Sequence, residues 1–230
     1  MTKKQADNVI DILSSLYQGA KPALNFSSEY ELLVAVMLSA QCTDERVNKV
    51  TSVLFKEYNT PKKMVTLSQS ELAKIILPCG LNNSKAKNIL SASNAIIEKF
   101  NGQVPCDFKD LISLDGVGRK TADVMLAVAF NKDAIAVDTH VFRVSNRIGL
   151  ANAKTPYKVE LQLMKAIKKE LWSKAHHYLI YHGRRVCKAQ NPQCEQCALN
   201  ELCKFYKTNR KNKNDKWKFF RQREYFNKIW

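Results

Sequence analysis

The chain has 230 residues, 45% of them hydrophobic, and carries 37 Lys and Arg against 21 Asp and Glu, a formal net charge of +16. That length suits one large domain or two small ones sharing an interface, and the apolar content excludes a wholly disordered chain. The charge points to a polyanion, nucleic acid before an anionic membrane, while the absence of any apolar run near the roughly 20 residues of a membrane span argues for a soluble intracellular protein.

Helical spacing runs through nearly the whole chain. Residues 3–16 read as the first helix, preceded by no signal-peptide pattern in Met1-Thr2-Lys3-Lys4. Ser28 or Glu29 starts a helix over 30–39, and in 44–58 the residues Val47, Val50, Leu54 and Tyr58 share one face. A helix over 68–76 follows, then one over 85–100 opened by Asn83 or Ser84, with Ile89, Leu90, Ile96, Ile97 and Phe100 turned the same way. Further helices are predicted over 107–112, 119–130 and 139–147, over 157–170 behind Thr155-Pro156, and over 175–186. The only strand-like stretch, Ala134-Ile135-Ala136-Val137, is too short to build a sheet. The class is all-α.

The most informative segment is Leu114-Asp115-Gly116-Val117-Gly118-Arg119-Lys120-Thr121-Ala122. Two glycines bracket an apolar residue between two helical patterns. Glycine allows a positive-φ turn and close approach of a phosphate, and the following helix offers free amides at its first turn. Gly116, Val117, Gly118, Arg119 and Thr121 thus form a candidate grip on a DNA backbone, although a plain helix–turn–helix link explains Gly-Val-Gly alone equally well. Lys120 falls in that first turn, where the positive end of the helix dipole favours the neutral amine that Schiff-base chemistry needs. A lysine chosen at random would simply meet phosphate or solvent.

Eighteen residues on, Val137-Asp138-Thr139-His140-Val141-Phe142-Arg143 puts an acid at another helix start. Asp138 reads as an N-cap, which also fixes a carboxylate where it can stabilise positive charge. His140 and Arg143 suit either a structural or a phosphate-binding role. Cys187, Cys194, Cys197 and Cys203 lie within 17 residues of one another, while Cys42, Cys79 and Cys106 stand apart. Seven cysteines so distributed fit a metal site in a reducing compartment better than a disulfide framework. Four thiolates suit zinc or an iron–sulfur cluster, and chemistry alone slightly favours zinc. Beyond Cys203 the composition shifts: residues 204–230 hold ten Lys and Arg against Asp215 and Glu224, with eight aromatics. That segment is either a solvated tail or an added surface for phosphates and stacked bases.

The hairpin, the Val-Asp-Thr-His segment and the C-x6-C-x2-C-x5-C loop, in this order, resemble the endonuclease III family. Leu24-Asn25-Phe26-Ser27-Ser28, Leu38-Ser39-Ala40-Gln41 and Gly80-Leu81-Asn82-Asn83-Ser84-Lys85-Ala86 extend the likeness from about Lys3 to about Cys203. The resemblance implies two helical domains: a six-helix domain with the helix-hairpin-helix over 22–132, and a cluster domain formed by 1–21 with 133–203. It implies a [4Fe–4S] cluster rather than zinc, Lys120 as nucleophile and Asp138 as catalytic aspartate in a cleft between the domains. Gln41 and Leu81 match residues that fill the gap left by a flipped base. The implied protein is a monomeric DNA glycosylase and abasic-site (AP) lyase of base excision repair, acting on damaged double-stranded DNA in a bacterial cytoplasm or nucleoid. It would remove oxidised pyrimidines and cut by β-elimination.

Two departures from the family pattern stand out. Asp115 occupies a position where proline is usual, which would loosen the hairpin and set a negative charge near the phosphate. Asp123 replaces a usual asparagine one turn after Lys120 and is placed to pair with it. Three rival functions compete. An adenine glycosylase of the same superfamily would carry glutamate where this chain has Ala35, and a pyrimidine-dimer glycosylase would share the residues named above. A non-catalytic iron–sulfur DNA-binding or redox-sensing module would need neither Lys120 nor Asp138.

Overall fold

The computed structural model describes residues 1–209, and among these there is no strand. The chain divides into two compact units, Lys21–Ala136 and Met1–Ala20 together with the residues from Val137 on.

In the unit Lys21–Ala136, helix α2 (Glu29–Leu38) is apolar on all sides beyond Glu29 and Glu31 in its first turn, and Tyr30 to Leu38 are all buried. Such a helix is stable only when surrounded. Its N-cap is Ser28, whose hydroxyl accepts from the Glu31 amide. Around it lie α3 (Asp44–Glu57), α4 (Pro61–Met64), α5 (Gln69–Ile75), α6 (Asn82–Phe100), α7 (Phe108–Ile112) and α8 (Arg119–Val124). Helices α3, α6 and α8 pack on α2, α4 and α5 pack on α6, and α7 packs on α8. Leu32, Leu33, Leu54, Met64, Leu72, Ile89, Ile96 and Met125 fill one continuous core.

The other unit contains α1 (Lys3–Leu16), α9 (Thr139–Ile148), α10 (Pro156–Ala166) and α11 (Trp172–Arg185). Helix α1 starts in a capping box between Thr2 and Gln5. Both α1 and α9 pack against α11, and α10 packs on α9 and α1. Val9, Leu13, Val141, Val144, Val159, Leu163 and Leu179 form its interior.

Several boundaries differ from those the sequence predicts, each for a tertiary or turn-level reason. Helix α6 begins at Asn82 rather than 85, and its N-cap is Leu81 in the left-handed region with no side-chain capping bond. The helix predicted over 119–130 is α-helical only to Val124 and continues as a π-turn, Met125–Ala129, closed by the Phe130 amide on the Met125 carbonyl at 3.2 Å. The helix over 157–170 stops at Ala166. There Ile167 turns extended and buries itself (4% exposed), and the Trp172 indole N–H donates to its carbonyl at 3.1 Å. Helix α4 was not anticipated, since four residues carry no measurable period. Residues 134–137 pair with no strand and are buried. Of the segment 204–230, residues 204–209 are helical; the remainder of that predicted tail lies outside the described residues.

These placements separate core from cap energetically. Leu32→Ala, in the middle of α2, should cost about 2–5 kcal/mol, whereas Thr2→Ala at the start of α1 should cost about 1 kcal/mol. Urea unfolding monitored by circular dichroism measures both.

Candidate active site and cluster loop

The hairpin is built from inside out. Leu111, Leu114 and Val117 are buried, and the Val117 amide closes the turn on the Leu114 carbonyl at 3.1 Å. Val117 as a whole is only 5% exposed and belongs to the core. The two glycines do different work. Gly116 has φ +76°, and a Cβ there would lie 2.8 Å from Asn88 Cβ and 2.9 Å from Met37 Cε. Gly118 is the N-cap of α8 at φ −89°; a Cβ there meets nothing within 4 Å, and no side chain caps the helix. Gly116 is thus required by packing, while Gly118 leaves the first-turn amides open to a ligand.

Lys120 is exposed on that first turn. Its neighbour Arg119 stacks its guanidinium 4.6 Å from the Phe108 ring centroid, and Thr121 is half-buried. Asp123, one turn later, is buried, with 6% exposure. Asp115 is anchored rather than loose, because Ser91 of α6 donates to its carboxylate at 2.6 Å. This ties the turn to α6 through a side chain, where proline would act on φ through its ring.

Asp138 is half-buried and caps α9, its Oδ1 accepting from the Val141 amide at 2.7 Å. His140 and Arg143 stand one turn further on. Arg143 donates through Nε to the Cys187 carbonyl at 3.1 Å and through Nη2 to the Gly183 carbonyl at 3.0 Å, and Nη2 lies 3.1 Å from His140 Nδ1. Its guanidinium therefore staples α9 to the end of α11 and to the first cysteine of the loop. Burial holds the His140 imidazole below its ordinary range, with the Asp138 carboxylate opposing that shift.

Gln41 and Leu81 share an unusual backbone. Among the described residues, the non-glycines with positive φ are three asparagines, which tolerate it, and these two, at +55° and +51°. Both side chains are exposed, Leu81 to 56%. Ala35, by contrast, is fully buried in α2 and brings no carboxylate to any surface.

Cys187, Cys194, Cys197 and Cys203 line one pocket together with Arg147, His182, Leu199 and Phe205. None is in a disulfide. Burial pushes the thiols of Cys194, Cys197 and Cys203 up, and proximity to one another adds to it. Backbone bonds work the other way, from Leu199 at Cys197 and from Tyr206 and Phe205 at Cys203. Among the described residues no three of His, Cys, Asp or Glu converge closely enough to hold a single ion. Four thiolates lining one pocket are a donor set that an iron–sulfur cluster takes.

Two residues of this pocket, and Tyr17 bonded to one of them, carry no sequence signal. Arg147 donates to the carbonyls of Lys188 at 2.6 Å and Ala189 at 3.0 Å, and its Nη1 lies 3.7 Å from Cys187 Sγ. His182 is 1% exposed, with Nε2 3.5 Å from Cys197 Sγ and Nδ1 3.0 Å from the Tyr17 hydroxyl. A thiolate bound to metal has no proton to donate, so with the cluster in place His182 Nε2–H is the donor and the Tyr17 hydroxyl donates to Nδ1. Their partners lie 15 to 165 positions away.

The HhH-GPD superfamily base excision DNA repair protein model matches residues 34–169, and the iron-sulfur binding domain of endonuclease III matches residues 187–203. The chain is 46% identical to the endonuclease III of Rickettsia conorii over 206 residues, 90% of this chain and 98% of that one. It is 47% identical to that of Bacillus subtilis over 202 residues, covering 87% and 92%. A solved non-covalent endonuclease III–DNA complex superposes with a TM-score of 0.87 at 45% identity, covering 92% of this chain and 99% of that one. A trapped endonuclease III–DNA covalent intermediate gives the same TM-score at 46% identity, covering 91% and 99%. The chain belongs to the endonuclease III family, and it is a DNA glycosylase and AP lyase of base excision repair whose cofactor is a [4Fe–4S] cluster. No helix among the described residues is long and apolar enough to cross a membrane.

The glycine geometry predicts a dissociation between folding and binding. Gly116→Ala should destabilise the protein by about 1–3 kcal/mol, since strain and overpacking coincide there. Gly118→Ala should fold normally and lose affinity for abasic duplex in a gel-shift titration. Equal stability loss in both variants would contradict it.

Proposed function

We propose that the protein removes oxidised pyrimidines from damaged double-stranded DNA and nicks the strand through a Schiff base on Lys120. The observation that carries this reading is an exposed lysine on the first turn of α8, beyond a glycine that leaves the helix end uncapped. A relative at 46% identity has been trapped covalently on DNA, which requires a protein nucleophile, and Lys120 occupies the hairpin position that the family resemblance assigns to it. In the proposed reaction the neutral amine attacks C1′, the glycosidic bond breaks and the base departs with its bonding electrons. The amine then loses a proton and the C1′–O4′ bond opens, O4′ taking up a proton, to give the iminium; this acidifies C2′–H, and loss of that proton expels the 3′ phosphate. Asp138 stabilises the positive charge that develops at C1′; its cap bond engages Oδ1 and fixes the carboxylate in place.

In the same reading, the backbone of Gly116, Val117 and Gly118, with Arg119 and Thr121, holds the DNA phosphates, and Gln41 and Leu81 fill the gap left by the flipped nucleotide. His140 and Arg143 flank Asp138, and the internal bonds of Arg143 favour a supporting role over direct phosphate contact. Cys187, Cys194, Cys197 and Cys203 are the cluster ligands; the cluster supplies a cross-link between segments that have little other core. We assign residues 22–132 to the hairpin domain and 1–21 with 133–203 to the cluster domain, in a monomer working in a bacterial cytoplasm or nucleoid. The buried Ala35 disfavours adenine excision.

Borohydride should trap wild-type protein on a thymine-glycol duplex, and Lys120→Ala should yield no adduct while still binding abasic DNA. An adduct formed equally by that variant would remove Lys120 from the mechanism. Asn caps a helix about as well as Asp, so Asp138→Asn should change stability by only a few tenths of a kcal/mol and lower single-turnover excision by about 100-fold or more.

A further inference from the structure

Lys85 is a buried lysine that the proposed chemistry does not use. It lies in the first turn of α6, is 6% exposed, and its ammonium donates to three backbone carbonyls: Leu38 at 2.8 Å, Ala40 at 2.8 Å and Cys79 at 2.9 Å. Those acceptors sit on two separate segments. Leu38 ends α2 and Ala40 immediately precedes Gln41, while Cys79 is two residues before Leu81. An ammonium has three protons, and here each finds one carbonyl. The bonds satisfy carbonyls that the end of α2 leaves without helical partners, and the positive charge suits that negative end of the helix dipole.

The position of this knot is informative because of what it brackets. Gln41 and Leu81 are the non-asparagine, non-glycine residues with positive φ among those described. Left-handed backbone at such residues persists only where the surroundings enforce it, and it concentrates at functional sites. We infer that Lys85 is a positioning residue: by bonding Leu38, Ala40 and Cys79 at once, it holds Gln41 and Leu81 ready as a preformed pair of side chains for invading the duplex. This rests on the gap-filling reading of those two residues. A preformed pair avoids ordering two loops at the moment of binding, which would otherwise weaken the complex. Burial lowers the pKa of the ammonium in this knot, and charge at Cys79 and Cys42 opposes the shift. Its cohesion comes from the carbonyls.

The test compares borohydride trapping on an abasic site in duplex and in single-stranded DNA, because a single strand has no gap to fill. Lys85→Met should lower the duplex rate by about tenfold and leave the single-strand rate within about twofold. A parallel fall in both rates, or no fall in either, overturns the positioning role. Should that variant fail to fold, Lys85→Arg decides the matter: it retains the charge, but its planar fork cannot serve three converging carbonyls. Its duplex-to-single-strand ratio should drop by about threefold, and an unchanged ratio overturns the proposal. The double variant Gln41→Ala with Leu81→Ala separates the two claims. If it keeps the wild-type ratio, the gap-filling reading fails; if it loses the ratio while the Lys85 variants keep it, only the role of Lys85 fails.

Discussion

The turn from Leu114 to Arg119 is the constraint on which the rest of the site depends. A nucleophilic amine is useful only where the chain can offer it to a sugar without covering it with its own side chains. Leu114 and Val117 anchor the turn in the core, Gly116 passes where any Cβ would strike Asn88 and Met37, and Gly118 then leaves the end of α8 bare. Lys120 emerges from that bare end. Without the inward anchoring the helix end would wander, and without the bare cap its amides would be satisfied internally.

Asp115 illustrates how the same constraint can be met by different means. Proline would restrict the turn through its ring, whereas Asp115 does so through a 2.6 Å bond from Ser91. A similar substitution of contacts holds the cluster loop. Arg143 and Arg147 spend their guanidinium bonds on carbonyls of Gly183, Cys187, Lys188 and Ala189, orienting a segment with little regular structure of its own. The high count of basic residues therefore overstates the charge available to DNA, because some of it is structural.

Much of the architecture was legible from residue spacing. Helices with a Ser or Thr cap, such as α1, α2 and α10, begin where local chemistry says they should. The failures are those in which distant groups decide. The start of α6 depends on a left-handed Leu81, and the end of α10 on the Trp172 indole finding the Ile167 carbonyl. The same division holds at the site. Lys120, Asp138 and the four cysteines sit in local patterns with chemical meaning. Lys85, Tyr17, Arg147 and His182 act through partners far away in the chain, so no local motif marks them. Spacing alone also left zinc open; the family match points to iron–sulfur.

The central claim is that one particular amine forms the bond to deoxyribose. Peptide mapping by mass spectrometry of the borohydride-reduced complex with abasic DNA tests it most directly. The account predicts a single sugar adduct on Lys120. An adduct on Lys85, on the N-terminal amine or spread over several lysines would contradict it.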